Sequence, residues 1–374
     1  MKSRKVAVVS VVVTSLIVSG LSYLMLSGSS ETVNTKVSKS VELAADCIES
    51  AAGVLSSTEN PVETCLSTAA GQLTSVQETG LLLDELTGRA STDDRLRSRC
   101  NEIFREIGVT AWEKGGIETF TEGYGACGFG YYQGAMKEAL KDDINGKNFI
   151  AMTSFCERFS VASNTPSLGE WYLCMEGIGR ALASKNNKIS DSEKICAKVS
   201  TSDTSVVAAC FSGAVKEQFS TGDIKVQTPE DAVNACKMSD MTLQAVCYKY
   251  ALNYSGSSAA EITKFCVSLS DGPTQRGCWA GVGMRTGSTE LFSSADSPGY
   301  TIGTKPAETA KVMNSVCGMN ITDHCETSLL IELSMRVLDY NSVLSVCGLL
   351  ADERRVGTCR GVAEQQQPVL LPAK

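Results

Sequence analysis

Hydrophobic positions recur along this chain at helical spacing, in short stretches separated by polar loops. The clearest case runs over residues 148–184. An apolar-periodic stretch, FIAMTSFCERF, is followed by SVASNTPSLG and then by EWYLCMEGIGRALAS. Pro166, Ser167, Leu168 and Gly169 are loop and helix-start residues. The same alternation returns as EKICAKV, STSDTS and VVAACFSGAVKEQF, then as DAVNACKMS with LQAVCYKYALNY, then as EITKFCVSL with QRGCWAGVGMRT. Each unit predicts a first amphipathic helix that ends near a cysteine, a polar loop, and a second helix opened by another cysteine.

Cysteines punctuate this pattern from end to end. There are 16, and they read as eight consecutive pairs. The expected pairs are Cys47 with Cys65, Cys100 with Cys127, Cys156 with Cys174, and Cys196 with Cys210. They continue as Cys236 with Cys247, Cys266 with Cys278, Cys317 with Cys325, and Cys347 with Cys359. Successive second cysteines lie 31 to 62 residues apart, a repeat with a variable loop. Local bonding within each pair staples one αα-hairpin. The predicted fold is therefore all-α: an α-solenoid of about eight disulfide-stapled hairpins. Residues 66–99 add an extra amphipathic stretch, and 286–306 form a Gly/Ser/Pro-rich insertion.

The second helices share a glycine register. Cys174, Cys210 and Cys278 are each followed three residues later by Gly177, Gly213 and Gly281, and then by an apolar residue. Gly134 joins them, because the block from Gly134 to Glu138 matches that from Gly213 to Glu217. A helical glycine costs about 1 kcal/mol against alanine. Repeating it at one register predicts close approach of a neighbouring backbone.

The N-terminus changes the picture of where the protein resides. Lys2, Arg4 and Lys5 precede the nearly uncharged run 6–26, long enough to span a bilayer as a helix. The preceding positive charge predicts a cytoplasmic N-terminus and an exported remainder, as in a single-pass membrane protein. The alternative is a cleaved signal peptide ending near Ser27-Gly28-Ser29. The expected organisation is a membrane anchor over 1–27, a spacer over 28–40, the disulfide-rich domain over 41–363 and a tail over 364–374. Export agrees with the even cysteine count, since disulfides persist in oxidising compartments such as the periplasm, cell envelope or cell surface.

Charge excludes some partners. Without residues 1–27 the chain has 31 basic and 42 acidic residues, a net charge of −11. An acidic surface disfavours nucleic acid. Membrane contact is expected through the N-terminal helix alone.

Candidate chemistry is sparse. His324, in TDHCE, is the single histidine, and neither C-x2-C nor G-x-S-x-G occurs. No metal, cofactor or catalytic residue is expected. Glu138, Glu176 and Glu217 are the best candidates for paired-carboxylate chemistry on glycan. The plainer expectation is that they are solvated, or pair with Lys137, Arg180 or Lys216 at the surface. The 128–134 segment, GFGYYQG, reads as packing. If a ligand surface exists, Phe129, Tyr131, Tyr132, Trp171, Tyr172 and Trp279 are its expected aromatic anchors.

The blocks CMEGIGRAL, CFSGAVKEQF and CWAGVGMRT resemble the helix openings of cysteine-rich tetratricopeptide-like and Sel-type repeat proteins. That resemblance covers 41–363 loosely and implies peptide or protein binding on a curved surface. The expected function is a protein-binding scaffold or adaptor in the cell envelope or at the surface. The alternatives are a carboxylate-dependent glycan-active enzyme and a structural surface protein without a discrete ligand. Partner binding is expected on the second-helix faces or on the 286–306 insertion.

Overall fold

A computed structural model describes residues 35, 37–44, 46–47, 65, 68–69, 71, 76–90, 96, 100–120, 127–143, 147–159, 168–183, 188–200, 203–238, 240–270, 272–287, 306–318, 323–336 and 340–366. The expected anchor over 1–27 and nearly all of the 286–306 insertion lie outside them. Among the described residues every regular element is helical, with no strand, and no helix is long and apolar enough to cross a membrane.

The chain order is α1 (Val76–Ala90), α2 (Cys100–Gly115), two short 3-10 turns at Gly116–Phe120 and Cys127–Phe129, and α3 (Gly130–Leu140). Six hairpins follow. They are α4 (Lys147–Glu157) with α5 (Leu168–Ala183), α6 (Ile189–Cys196) with α7 (Thr204–Ser220), and α8 (Pro229–Ala235) with α9 (Met241–Asn253). Then come α10 (Ala259–Ser268) with α11 (Pro273–Arg285), α12 (Pro306–Cys317) with α13 (His324–Arg336), and α14 (Tyr340–Cys347) with α15 (Glu353–Gln366).

Capping residues explain where these helices start. Asp203 accepts from the backbone N–H of Ser205 and Val206 to open α7, and Asp240 does the same for Thr242 and Leu243 to open α9. Thr228 with Asp231 and Ser258 with Glu261 form capping boxes on the short helices α8 and α10. Pro229 and Pro273 occupy first-turn positions, where no N–H is needed.

All eight cysteine pairs are bonded as consecutive pairs, with Cα atoms 5.3 to 5.7 Å apart. In chain order, Cys47 bonds Cys65, Cys100 bonds Cys127, Cys156 bonds Cys174 and Cys196 bonds Cys210. Cys236 bonds Cys247, Cys266 bonds Cys278, Cys317 bonds Cys325 and Cys347 bonds Cys359. Cys247 sits in the middle of α9 and Cys359 in the middle of α15, so these second cysteines lie a turn or more inside their helices. The first cysteine of each of these two pairs closes a short helix, Cys236 as the cap of α8 and Cys347 as the last residue of α14. Cys65 is half-buried against the core, whereas Cys47, Cys247 and Cys359 are buried. The unit at Cys100–Cys127 departs from the expected plan. Cys100 opens α2 rather than closing a first helix, so this bond ties the starts of two long inner helices together.

Two layers result. The second helices pack in sequence, α3 on α5, α5 on α7, α7 on α9, α9 on α11, α11 on α13 and α13 on α15, while each shorter first helix lies on its own partner. The stack also folds back. α13 touches α2 and the 127–129 turn, and α15 touches α5. A second helix therefore has neighbours on almost every side. In α7 every residue from Ala209 to Phe219 is buried. The α7 face is core, so the expectation of a binding surface is corrected there, whereas on α15 Glu353, Arg354, Gly357, Arg360 and Glu364 are exposed.

Glycines set how closely the inner helices cross. A Cβ on Gly213 would stand 1.8 Å from the carbonyl oxygen of Glu176, and one on Gly134 would stand 1.9 Å from that of Arg105. Gly281 faces Leu252 and the Lys249 carbonyl, and Gly177 faces the side chains of Met136 and Gln133. The tightest approach is at Gly179, against the Cys210 carbonyl at 1.7 Å, and Gly283 meets Cys325 in the same way.

Candidate functional site

The interior changes to charge where α5, α7 and α9 meet. On α5, Tyr172, Glu176 and Arg180 recur every four residues and so share one face. On α7, Ser212 and Lys216 do the same, with Glu217 beside them. The rungs between the helices climb in one direction. Tyr172 Oη donates to Ser212 Oγ at 2.7 Å, and Lys216 Nζ donates to Glu176 Oε1 at 3.0 Å. Arg180 Nη1 lies 3.7 Å from Glu217 Oε2. The two helices are thus parallel, as second helices of consecutive hairpins must be. Ser212 also shares a 2.5 Å hydrogen bond with Tyr250 of α9. Lys137 of α3 reaches Glu217 at 3.7 Å.

This seam is sealed. Glu176 is 1% exposed, Ser212 0%, Tyr250 1% and Glu217 6%. Burial drives the Glu176 carboxyl toward its neutral form, but Lys216 and Arg180 outweigh it and hold the group down at about 2. Arg180 is likewise opposed by burial and secured by Glu176 and Glu217, with a net upward shift. Burial first, then Glu176, pushes the Tyr172 phenol up to about 12, against its bonds to Ser212 and Tyr250. Burial lowers Lys249, against the pull of Glu176 and Glu332. The Lys249 ammonium stands 5.1 Å from the centre of the Tyr250 ring.

This arrangement holds charge. Glu176 stays an anion across the neutral range, so it cannot serve as a general acid there. Ser212 has a lysine four residues on and two tyrosine hydroxyls beside it, yet it is fully buried, and Lys216 is engaged by Glu176. Of the three carboxylates considered for glycan chemistry, Glu138 pairs with Lys141 at 3.1 Å, away from this cluster. Glu176 and Glu217 do pair with Arg180 and Lys216 inside the molecule, while Lys137, its side chain 39% exposed, reaches Glu217 from the edge.

The aromatic anchors are also core. Phe129 and Tyr131 are 0% exposed, Tyr132, Trp171 and Trp279 are buried, and Tyr172 is half-buried with its hydroxyl in the seam. Phe129, Tyr132, Phe155 and Phe159 form a ring cluster with centroids 4.9 to 5.4 Å apart. They pack α4 and the turn after it onto the inner helices, with Phe159 partly buried at the edge. His324 opens α13, its imidazole held below its usual value by partial burial and by Arg276. Among the described residues no group of three potential metal ligands gathers anywhere.

Two further polar clusters went unread in the sequence. Arg355 joins Glu326, Asn314 Oδ1 and the Met313 carbonyl, tying α15 to α12 and α13. Asp323 receives Arg354 and Thr358. Their signal was an Asp/Glu–Arg pairing across 29 and 31 residues, invisible to local periodicity.

The fold and interior define the class as an all-helical, disulfide-stapled hairpin repeat. No protein-family model matches the chain, and neither a curated protein nor a solved structure matches it.

Proposed function

We propose that this is an exported helical-repeat protein, a short curled α-solenoid, that acts as a protein-binding scaffold outside the cytoplasm. The observation that carries the reading is one disulfide in every helical hairpin, a framework that an oxidising compartment forms and keeps. The run 6–26 is its membrane anchor, with Lys2, Arg4 and Lys5 on the cytoplasmic side. The ionic interior supports binding over catalysis, since its carboxylates are neutralised and out of reach of a substrate. Binding then falls to the outer layer and the 286–306 insertion. Ile150 of α4, Val267 of α10 and Leu349, just beyond α14, are exposed there.

The test is cross-linked recovery from intact membranes of the full chain, of a variant lacking 288–302, and of Ile150→Asp/Val267→Asp. One defined partner, weakened by either change while the helical circular dichroism is kept, is the expected result. No partner above background, or a turnover that Glu217→Gln abolishes, would replace this reading. A mature N-terminus near residue 30 would remove the anchor and leave an exported protein without one.

A further inference from the structure

We propose that the Cys100–Cys127 disulfide is a redox latch on the fold-back of the helical stack. The turn it holds is unlike any other described. Cys127, Gly128 and Phe129 are consecutive left-handed residues, with φ of 56°, 63° and 66°. Cys127 and Phe129 are the only non-glycine residues with positive φ among those described. Side chains disfavour this conformation, and it persists where the surroundings enforce it. Three things enforce it here. The disulfide fixes Cys127 to the first residue of α2. Asn101 Nδ2 donates to the carbonyls of Cys127 at 2.8 Å and Gly128 at 3.1 Å. Phe129 is buried completely, against Tyr132 and Phe159.

This turn is also where the two ends of the stack meet. It lies against α2 and α5 from one end and against α13 from the other. The remaining bonds in the hairpins close 8 to 18 residues each, whereas this one spans 27. Cys100 and Cys127 both retain 5% exposure, while Cys156, Cys174, Cys196 and Cys210 have none.

A dithiol reductant would work the latch by thiol–disulfide exchange. Its thiolate attacks one sulfur of the pair and forms a mixed disulfide, releasing the other cysteine as a thiol. Its second thiol then displaces the remaining cysteine. Two electrons and two protons pass to Cys100 and Cys127, and the reductant leaves as its own disulfide. Without the tether the three left-handed residues relax, Phe129 withdraws, and α13 loses its contact with the turn. The hairpins with their own bonds stay folded.

The experiment is graded reduction of the oxidised full chain with dithiothreitol, followed by alkylation, peptide mapping and amide hydrogen exchange. Cys100 and Cys127 should be alkylated before the six bonds C-terminal to them. At that stage amides of 130–136 and 324–333 should exchange at least about tenfold faster, with 209–219 unchanged. Cys100→Ser/Cys127→Ser should show the same pattern without reductant. If that variant does not fold, graded reduction of the natural chain decides alone. Earlier opening of any of the six C-terminal bonds, or unchanged protection of 324–333 after Cys100–Cys127 opens, overturns the latch.

Discussion

Two stretches of the same interior are built from opposite materials. Around α2, α3 and α4 the inner helices close over rings: Trp112, Phe120, Phe129, Tyr132, Phe155 and Phe159 touch edge to face or stacked. Around α5, α7 and α9 they close over Glu176, Arg180, Lys216 and Glu217, with Tyr172, Ser212 and Tyr250 hydrogen-bonded in line. The backbone device is shared, a glycine seated on a neighbouring carbonyl at Gly134 in one region and at Gly213 in the other. Close helix approach therefore comes from the glycines, and the side chains around them decide how damage is felt. Ring contacts are many and individually weak, so losing some is graded. Buried ions answer to one another, and removing one strands the rest.

The sharpest way to break this contrast is Glu176→Ala. It leaves Lys216 and Arg180 buried without their shared carboxylate, and should cost about 3–5 kcal/mol in urea unfolding of the oxidised protein. Replacing both partners, Glu176→Met/Lys216→Met, should recover most of that loss, because Arg180 and Glu217 still face each other. A cost below about 1 kcal/mol for the single change would show that the seam is wet and weakly coupled.

Acid should probe the same region without mutation. The folded Glu176 carboxyl sits at about 2, below its ordinary 4.5, so its contribution is complete above pH 4.5 and is lost as pH falls toward 2. That window should remove on the order of 3 kcal/mol. In Glu176→Gln the slope over this range should flatten. An unchanged slope would place the acid-sensitive group elsewhere.

Gly213→Ala comes next. Its Cβ would meet the Glu176 carbonyl at 1.8 Å and force the helices apart, for about 1–3 kcal/mol. Gly88→Ala, with nothing within 4 Å, should instead stabilise α1 by about 0.5–1 kcal/mol. Equal melting temperatures for the two variants would remove the close-approach argument. The smallest loss of stability belongs to the ring cluster. Phe155→Leu keeps most of the apolar volume and should cost about 1 kcal/mol.

Much of the framework was legible in the sequence. Cysteines bracketing polar loops between amphipathic stretches lead to local staples, and all eight are present, from Cys47 with Cys65 to Cys347 with Cys359. The glycine register was legible in part. It pointed to Gly177 and Gly281, whereas the backbone crossings on α5 and α11 fall two residues later, at Gly179 and Gly283. Which glycine meets a carbonyl depends on helix rotation, which cysteine spacing does not encode.

The interior chemistry was not legible, for a related reason. Glu176 with Arg180 at i,i+4 looks like an ordinary solvated helix pair. Its burial follows from packing against α7, whose Lys216 lies 40 residues on, and the stack closes further where α13 and α15 meet the early helices, more than 150 residues away in the chain. A helix buried on every side carries no amphipathic signal, and α7 mixes Lys216, Glu217 and Gln218 into its buried run. Contacts beyond the single helix likewise took aromatic residues from expected surface to core, Phe129 against Phe159 and Tyr131 on the Thr119 carbonyl among them.

Native-state hydrogen exchange of the oxidised chain tests the central claim, that the middle second helices, α7 above all, form a sealed core inside a layer of short first helices. Amides of 209–219 should exchange only through global unfolding, with α6 and α8 opening earlier by sub-global fluctuation. Exchange in 209–219 as fast as in α6 and α8 would contradict a sealed interior and return the second helices to the surface.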